Sequence, residues 1–167
     1  MTSRLNKTHL TAGLRNNNAG NILISSINWK GEVKNNTSLI HEQFISSEWG
    51  LRALYKQIIT TAKRTGGNPY LFAADYTGAA SNIVSNYTSA IKSAIAPADK
   101  INSDKDTIIK VAKALVYLEN GTDASLISNK EYLTAWKLLT GNNQITGKQL
   151  VLPLSMVLLL SWFFIKT

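Results

Sequence analysis

From Leu150 to Ile165 the sequence reads L-V-L-P-L-S-M-V-L-L-L-S-W-F-F-I, without one charged residue, between Lys148 and Lys166. At about 1.5 Å per residue a helix over this run is about 24 Å long, the short end of what crosses a bilayer, and lysine stems can extend it by snorkelling. Pro153 falls in its first turn, where a missing N–H costs little. A helix apolar on every side suits lipid better than the skin of a small domain, where Trp162, Phe163 and Phe164 would all need cover. The run therefore sets the expected organisation: a folded domain over 1–140, a flexible tether over 141–148 and a transmembrane anchor over 149–166. The opening residues M-T-S-R-L-N-K have no apolar run behind their charges and do not read as a signal peptide.

A chain of 167 residues leaves room before the anchor for one domain with a sizeable core, and no internal repeat is visible. Lys and Arg number 18 against 10 Asp and Glu, a net charge of +8, which suits an anionic partner such as nucleic acid, acidic lipid or cell-wall polymer. The basic residues are scattered, as on a solvated surface. The absence of cysteine excludes disulfides, thiolate metal sites and a cysteine nucleophile. His9 and His41 are the only histidines and lie far apart, so no metal site and no cofactor is expected.

The domain reads as mainly α. Ser46-Ser47-Glu48 can open a helix through G-L-R-A-L-Y-K-Q-I-I-T-T-A-K-R, which Gly66 to Pro69 stops, and Leu51, Leu54, Tyr55, Ile58, Ile59 and Ala62 form its buried stripe. Further helices are expected from about Ala79 to Ala96, from Asp104 or Asp106 to Leu118, and from Lys130 to Leu139. Gly121 suits a left-handed cap at the end of the third. Between Asn21 and Phe44 the β-prone I-L-I-S-S-I-N-W-K-G-E-V predicts a small hairpin.

R-N-N-N-A-G-N, Arg15 to Asn21, contains four asparagines in one short stretch. Amides donate and accept without adding charge, so Asn16, Asn17, Asn18 and Asn21 could read the acetamido and hydroxyl groups of an amino-sugar polymer. Asparagine also tolerates left-handed torsions and bonds nearby backbone, so the stretch could be a self-satisfied turn buttressed by Arg15.

Candidates for chemistry are few. Phosphate-binding loops of the G-x-x-x-x-G-K-[ST] and G-x-G-x-x-G types are absent. Asp104 and Asp106 read as helix caps, since the following residues lack the glycine and closing glutamate of a calcium loop. Tyr55, Lys56, Lys63 and Arg64 supply only a fragment of a nucleic-acid surface, which makes nucleic acid the least favoured partner. Glu48 and Arg52 read as capping and core bracing. Glu119 differs, because V-A-K-A-L-V-Y-L-E-N-G delivers it at the end of a strongly apolar helix. A carboxyl with poor hydration stays protonated and can donate to a glycosidic oxygen. A solvated glutamate at a helix end is the plain alternative.

G-L-R-N-N-N-A-G-N-I closely resembles the G-I-R-N-N-N-P-G-N-I signature of a family of phage virion-associated proteins, described as structural proteins or lytic enzymes. The similarity continues in order through N-W-K-G-E (Asn28 to Glu32), F-I-S-S-E-W-G-L-R-A-L (Phe44 to Leu54), S-N-I-V-S-N-Y (Ser81 to Tyr87) and A-K-A-L-V-Y-L-E-N-G (Ala112 to Gly121), covering roughly Gly13 to Asp123. The chain departs from the signature at Ala19, where the family has proline, and at Leu23, where it has arginine.

The resemblance implies a lysozyme-like helical fold, in the usual order or circularly permuted, with E-N-G in place of the E-S-x-G turn that carries the acid of lytic transglycosylases. It implies Glu119 as the catalytic acid. Arg15, Asn16, Asn17, Asn18, Asn21 and Trp29 would contact the substrate, with Trp29 stacking on a sugar ring. The expected partners are a peptidoglycan glycan strand, a lipid bilayer of virion or host, and capsid or vertex proteins. The expected location is the virion, anchored in membrane. A non-enzymatic structural protein linking that membrane to the capsid or vertex is the alternative.

Overall fold

The computed structural model describes residues 1–78 and 81–141. The expected anchor over 149–166, and the tether beyond its first residue, lie outside the described residues. Among the described residues no helix is long and apolar enough to cross a membrane.

The domain is mainly helical: α1 (Ala12–Arg15), α2 (Ser47–Arg64), α3 (Pro69–Thr77), α4 (Ser81–Ile95), α5 (Lys105–Asn120) and α6 (Asn129–Thr140), with a 3₁₀ turn over Gly121–Leu126. The central helix α2 packs along α6 and α5, α3 lies on α4, and α4 lies on α5. The expected stripe of α2 is buried, with Leu51, Leu54, Tyr55 and Ile58 meeting Ile108, Val111, Ala112 and Leu115 of α5 in one core cluster. Tyr55 reaches across to donate its hydroxyl to the Tyr132 carbonyl at 3.0 Å.

The capping signals act as their chemistry requires. The Asp104 carboxylate accepts from Thr107 N–H at 2.9 Å, and that bond holds its pKa below the usual value. Ser128 and Glu131 form a reciprocal capping box at α6. Glu131 also holds Arg4, which pins the N-terminal strap to α6 through a buried ion pair at 2.6 Å. Gly50 of α2 lies against the amide-rich loop so closely that a Cβ there would fall 1.7 Å from the Asn17 carbonyl oxygen.

Two expectations are refined and two are corrected. The Gly66 to Pro69 stretch ends one helix and also starts another, since the Asn68 side chain accepts from Tyr70 and Leu71 N–H and Pro69 occupies the first helical position. The helix expected from Ala79 to Ala96 spans Ser81–Ile95, its first two expected residues lying outside the described ones.

The hairpin is not formed: among the described residues there is no strand, only isolated bridges between Leu23 and His41 and between Glu32 and Phe44. Leu23, Ile24, Leu39 and Ile40 are exposed, so this two-sided loop buries too little apolar surface to hold a regular ladder. Gly121 takes φ 55°, ψ −132°, a conformation suited to glycine but outside the left-handed helical region, and it leads into the 3₁₀ turn.

Candidate functional site

The site is built from three segments that the sequence separates widely. Glu119 is the penultimate residue of α5, Tyr87 lies on α4, and Asn21 follows the amide-rich loop after α1. Glu119 Oε2 accepts from Asn21 Nδ2 at 2.8 Å, and Oε1 accepts from the Tyr87 hydroxyl at 2.7 Å. Both carboxylate oxygens thus have a fixed direction.

Beside Tyr87 lies Tyr76 of α3, ring centroids 6.3 Å apart, which donates its hydroxyl to the Gly20 carbonyl at 3.0 Å. Burial pushes both tyrosines' pKa values up, and the neighbouring Glu119 charge pushes them further, so both remain hydrogen-bond donors at neutral pH.

These groups line an open groove of about 750 Å³. Its lining includes Leu23, Ile27 and Trp29 and, from α2, Lys56, Thr60 and Arg64. Asp75 also lines the groove, but the Arg64 guanidinium engages it in an ion pair. The half-buried Trp29 packs against the core cluster, with its indole N–H buried and without a partner among the described residues.

The remaining expected contacts fall elsewhere. Asn16, Asn17 and Asn18 are buried, and their amides are spent on the protein itself. Asn18 Nδ2 donates to the Ile22 and Glu42 carbonyls while its Oδ1 accepts from Ile22 N–H. Asn17 Nδ2 donates to the Phe44 carbonyl and its Oδ1 accepts from Arg4 N–H at 2.7 Å. Asn16 Oδ1 accepts from Gln43 Nε2. Asn17 and Asn21 have φ of 53° and 48°, torsions asparagine tolerates better than most side chains.

The loop is therefore an internal scaffold whose last amide, Asn21, emerges into the groove. Of the four asparagines expected to meet a glycan, Asn21 alone lines this groove. Arg15 is exposed and lines a second depression of about 510 Å³ with Asn16, Thr37, Leu39 and Ile40; His41 lines both depressions, but Arg15 is not among the residues lining the Glu119 groove.

Sequence reasoning passed over the residue next to the acid. Asn120 is buried; its Nδ2 donates to the Ala19 carbonyl at 2.7 Å and the Val116 carbonyl at 3.0 Å, and its Oδ1 accepts from Thr11 Oγ1 at 2.9 Å. It ties the end of α5 to α1 and the amide loop, which fixes where Glu119 stands. The E-N-G triplet thus supplies a groove carboxylate, a brace and a glycine for the turn. Tyr87 closes the S-N-I-V-S-N-Y stretch, and nothing in that spacing points to its bond with Glu119.

No protein-family model matches the chain, and no curated protein matches it.

Proposed function

We propose that this is a phage virion protein whose groove binds a peptidoglycan strand and whose Glu119 acts as general acid in a lysozyme-like, lytic transglycosylase reaction. The observation that supports this reading is the Glu119 carboxylate oriented inside an open groove by Asn21 and Tyr87. Five sequence motifs resembling the virion-associated family, in the same order, supply its biological setting.

The chemistry follows from the groove's acids. Protonated Glu119 donates to the bridging oxygen as the glycosidic bond breaks, leaving an oxocarbenium-like sugar. The other acid lining the groove, Asp75, is neutralised by Arg64, which leaves no free carboxylate there to attack the sugar. In a transglycosylase the substrate's own hydroxyl closes onto the anomeric carbon, and its proton returns to the Glu119 carboxylate. Atoms and charge balance without water. Leu23, Ile27 and Trp29 offer apolar area for sugar faces, while Asn21, Thr60 and Lys56 offer polar contacts.

A non-catalytic role linking membrane to capsid or vertex is favoured by a different observation: the side chains of Asn17 and Asn18 are spent on the fold, and Asn16 does not line the Glu119 groove. In either role, membrane anchoring would reside in the apolar run over 149–166.

Zymography on peptidoglycan with the full chain in detergent, beside Glu119→Gln, separates the two. Clearing by the parent and none by the variant is the result expected of the enzyme; no clearing by either leaves the linking role.

A further inference from the structure

The loop over residues 21–45 carries an exposed aliphatic tip. Ile24 N–H donates to the Ile40 carbonyl at 2.9 Å, which sets Ile24 beside Leu39 and Ile40, and the three are 48%, 95% and 62% exposed. Leu39 and Ile40 also line the second depression, whose lining holds Arg15 and His41 and no acid. Among the described residues no carboxylate comes within ion-pair distance of Arg15. Exposed Lys7 follows Asn6, another of the lining residues. Exposed Lys34 follows Val33, whose N–H donates at 2.8 Å to the carbonyl of Gln43, also in the lining.

We propose that this tip is a membrane-contact surface: Ile24, Leu39 and Ile40 enter the acyl boundary of an anionic bilayer while Arg15 meets lipid phosphates. Aliphatic side chains rimmed by cations match the two layers of such an interface, apolar beneath and negative above. A protein partner would favour aromatic anchors at the centre of its patch, and the tip has none. The net charge of +8 draws the domain to the same surface.

The chain leaves the described domain close to this loop. Near the end of α6 the Leu138 carbonyl accepts from Arg52 Nε at 3.3 Å, and the Arg52 guanidinium lies 5.7 Å from the Trp49 ring centre. Trp49 in turn packs on Gly31 of the loop so closely that a Cβ there would fall 2.3 Å from its ring. From Gly141 to Leu150, where the apolar run begins, the chain extends at most about 30 Å. An anchor in that run therefore keeps the loop within reach of the bilayer. Contact at the tip then fixes how the domain faces the membrane, independently of any chemistry at Glu119.

The test uses the full chain, whose lack of cysteine allows a single label. Leu39→Cys carries a bimane, the protein is reconstituted in vesicles of equal parts phosphatidylcholine and phosphatidylglycerol, and lipids brominated along the acyl chain act as quencher. A label on Ala98→Cys, an exposed position beyond the other end of α2, is the reference. Quenching at position 39 is expected to exceed the reference several-fold. In Arg15→Gln the docked-to-free ratio is expected to fall about fivefold, the effect of one basic residue near an anionic surface. Phosphatidylcholine alone and raised salt are expected to weaken quenching of the parent in the same way, an arm that stands even if Arg15→Gln fails to fold. Equal quenching at the two positions, or quenching unaffected by loss of phosphatidylglycerol or by Arg15→Gln, overturns the proposal. An emission shift at position 39 that grows with the protein-to-lipid ratio and lacks bromine quenching assigns the tip to a second copy, and overturns it as well.

Discussion

Asn21 and Glu119 stand 98 positions apart in the chain and meet through a hydrogen bond of 2.8 Å, at the point where the amide-rich loop emerges beside the end of α5. Tyr87 completes the contact from the other carboxylate oxygen. The fold thus spends three elements on orienting one acid.

On the proposed reading, Glu119→Gln removes the proton donor and lowers turnover on peptidoglycan by about 10²- to 10⁴-fold. Circular dichroism and melting are expected to stay close to the parent, since the amide still accepts from Asn21 or Tyr87. Tyr87→Phe deletes one orienting bond and is expected to lower turnover about tenfold at a stability cost of about 1 kcal/mol. Equal melting with unchanged turnover in both variants would remove the acid from the mechanism.

Asn120→Ala strips three bonds at once, two of them buried, and leaves the Ala19 carbonyl without its partner. A loss of about 2–4 kcal/mol is expected in denaturant unfolding. A loss below about 0.5 kcal/mol, the level of an ordinary surface change, would mean that Asn120 is no brace.

Gly50→Ala places a methyl 1.7 Å from the Asn17 carbonyl oxygen, inside the van der Waals radius of main chain that cannot rotate away. Either α2 or the amide loop must move, at a cost of about 3 kcal/mol or more. A variant that melts within 2 °C of the parent, on the scale of well under about 1 kcal/mol, would show that the loop yields freely.

Acid stability tests the Arg4–Glu131 pair. Burial works to raise the Glu131 pKa, but the bonds from Arg4 and from the Ser128 N–H and hydroxyl outweigh it, and the folded value lies below the ordinary 4.5. A depressed carboxylate stabilises the fold above its unfolded pKa, and that contribution disappears as pH falls through the folded value. Melting temperature is therefore expected to drop on acidification from about pH 4.5 downward, and to drop less steeply in Glu131→Gln, which is already weakened at pH 7 by leaving Arg4 buried without its counter-ion. Parallel pH profiles for parent and variant would rule this out.

Local chemistry was legible in the sequence where one residue type decides the outcome. Asp104 announces its helix because a short polar side chain before an apolar stripe has few better uses than capping. Gly66 to Pro69 carries two opposite signals, a stop for α2 and a start for α3, and only packing distinguishes a loop from a helix between them. The I-L-I run promises a hairpin by residue type, but strands need a continuous face to bury, and with Leu23, Ile24, Leu39 and Ile40 exposed this loop does not offer one.

The site was half legible. Glu119 and Asn21 stand out by composition and by resemblance, whereas the roles of Tyr87 and Asn120 depend on distances across α4, α5 and the amide loop that no local pattern encodes. Asn16, Asn17 and Asn18 look alike in sequence to Asn21, and only their direction relative to the core separates scaffold from surface.

The Asn120 brace also decides which side of the groove can give way. With the end of α5 bolted to Ala19 and Thr11, the wall bearing Glu119 behaves as a fixed anvil. The segment from Leu23 to His41, part of which also lines the groove, is held by isolated bridges, turn bonds and side-chain bonds such as Ser25 N–H to Glu42 Oε1. On the proposed reading, adjustment to a glycan strand would fall to that segment, with the acid held where Asn120 sets it.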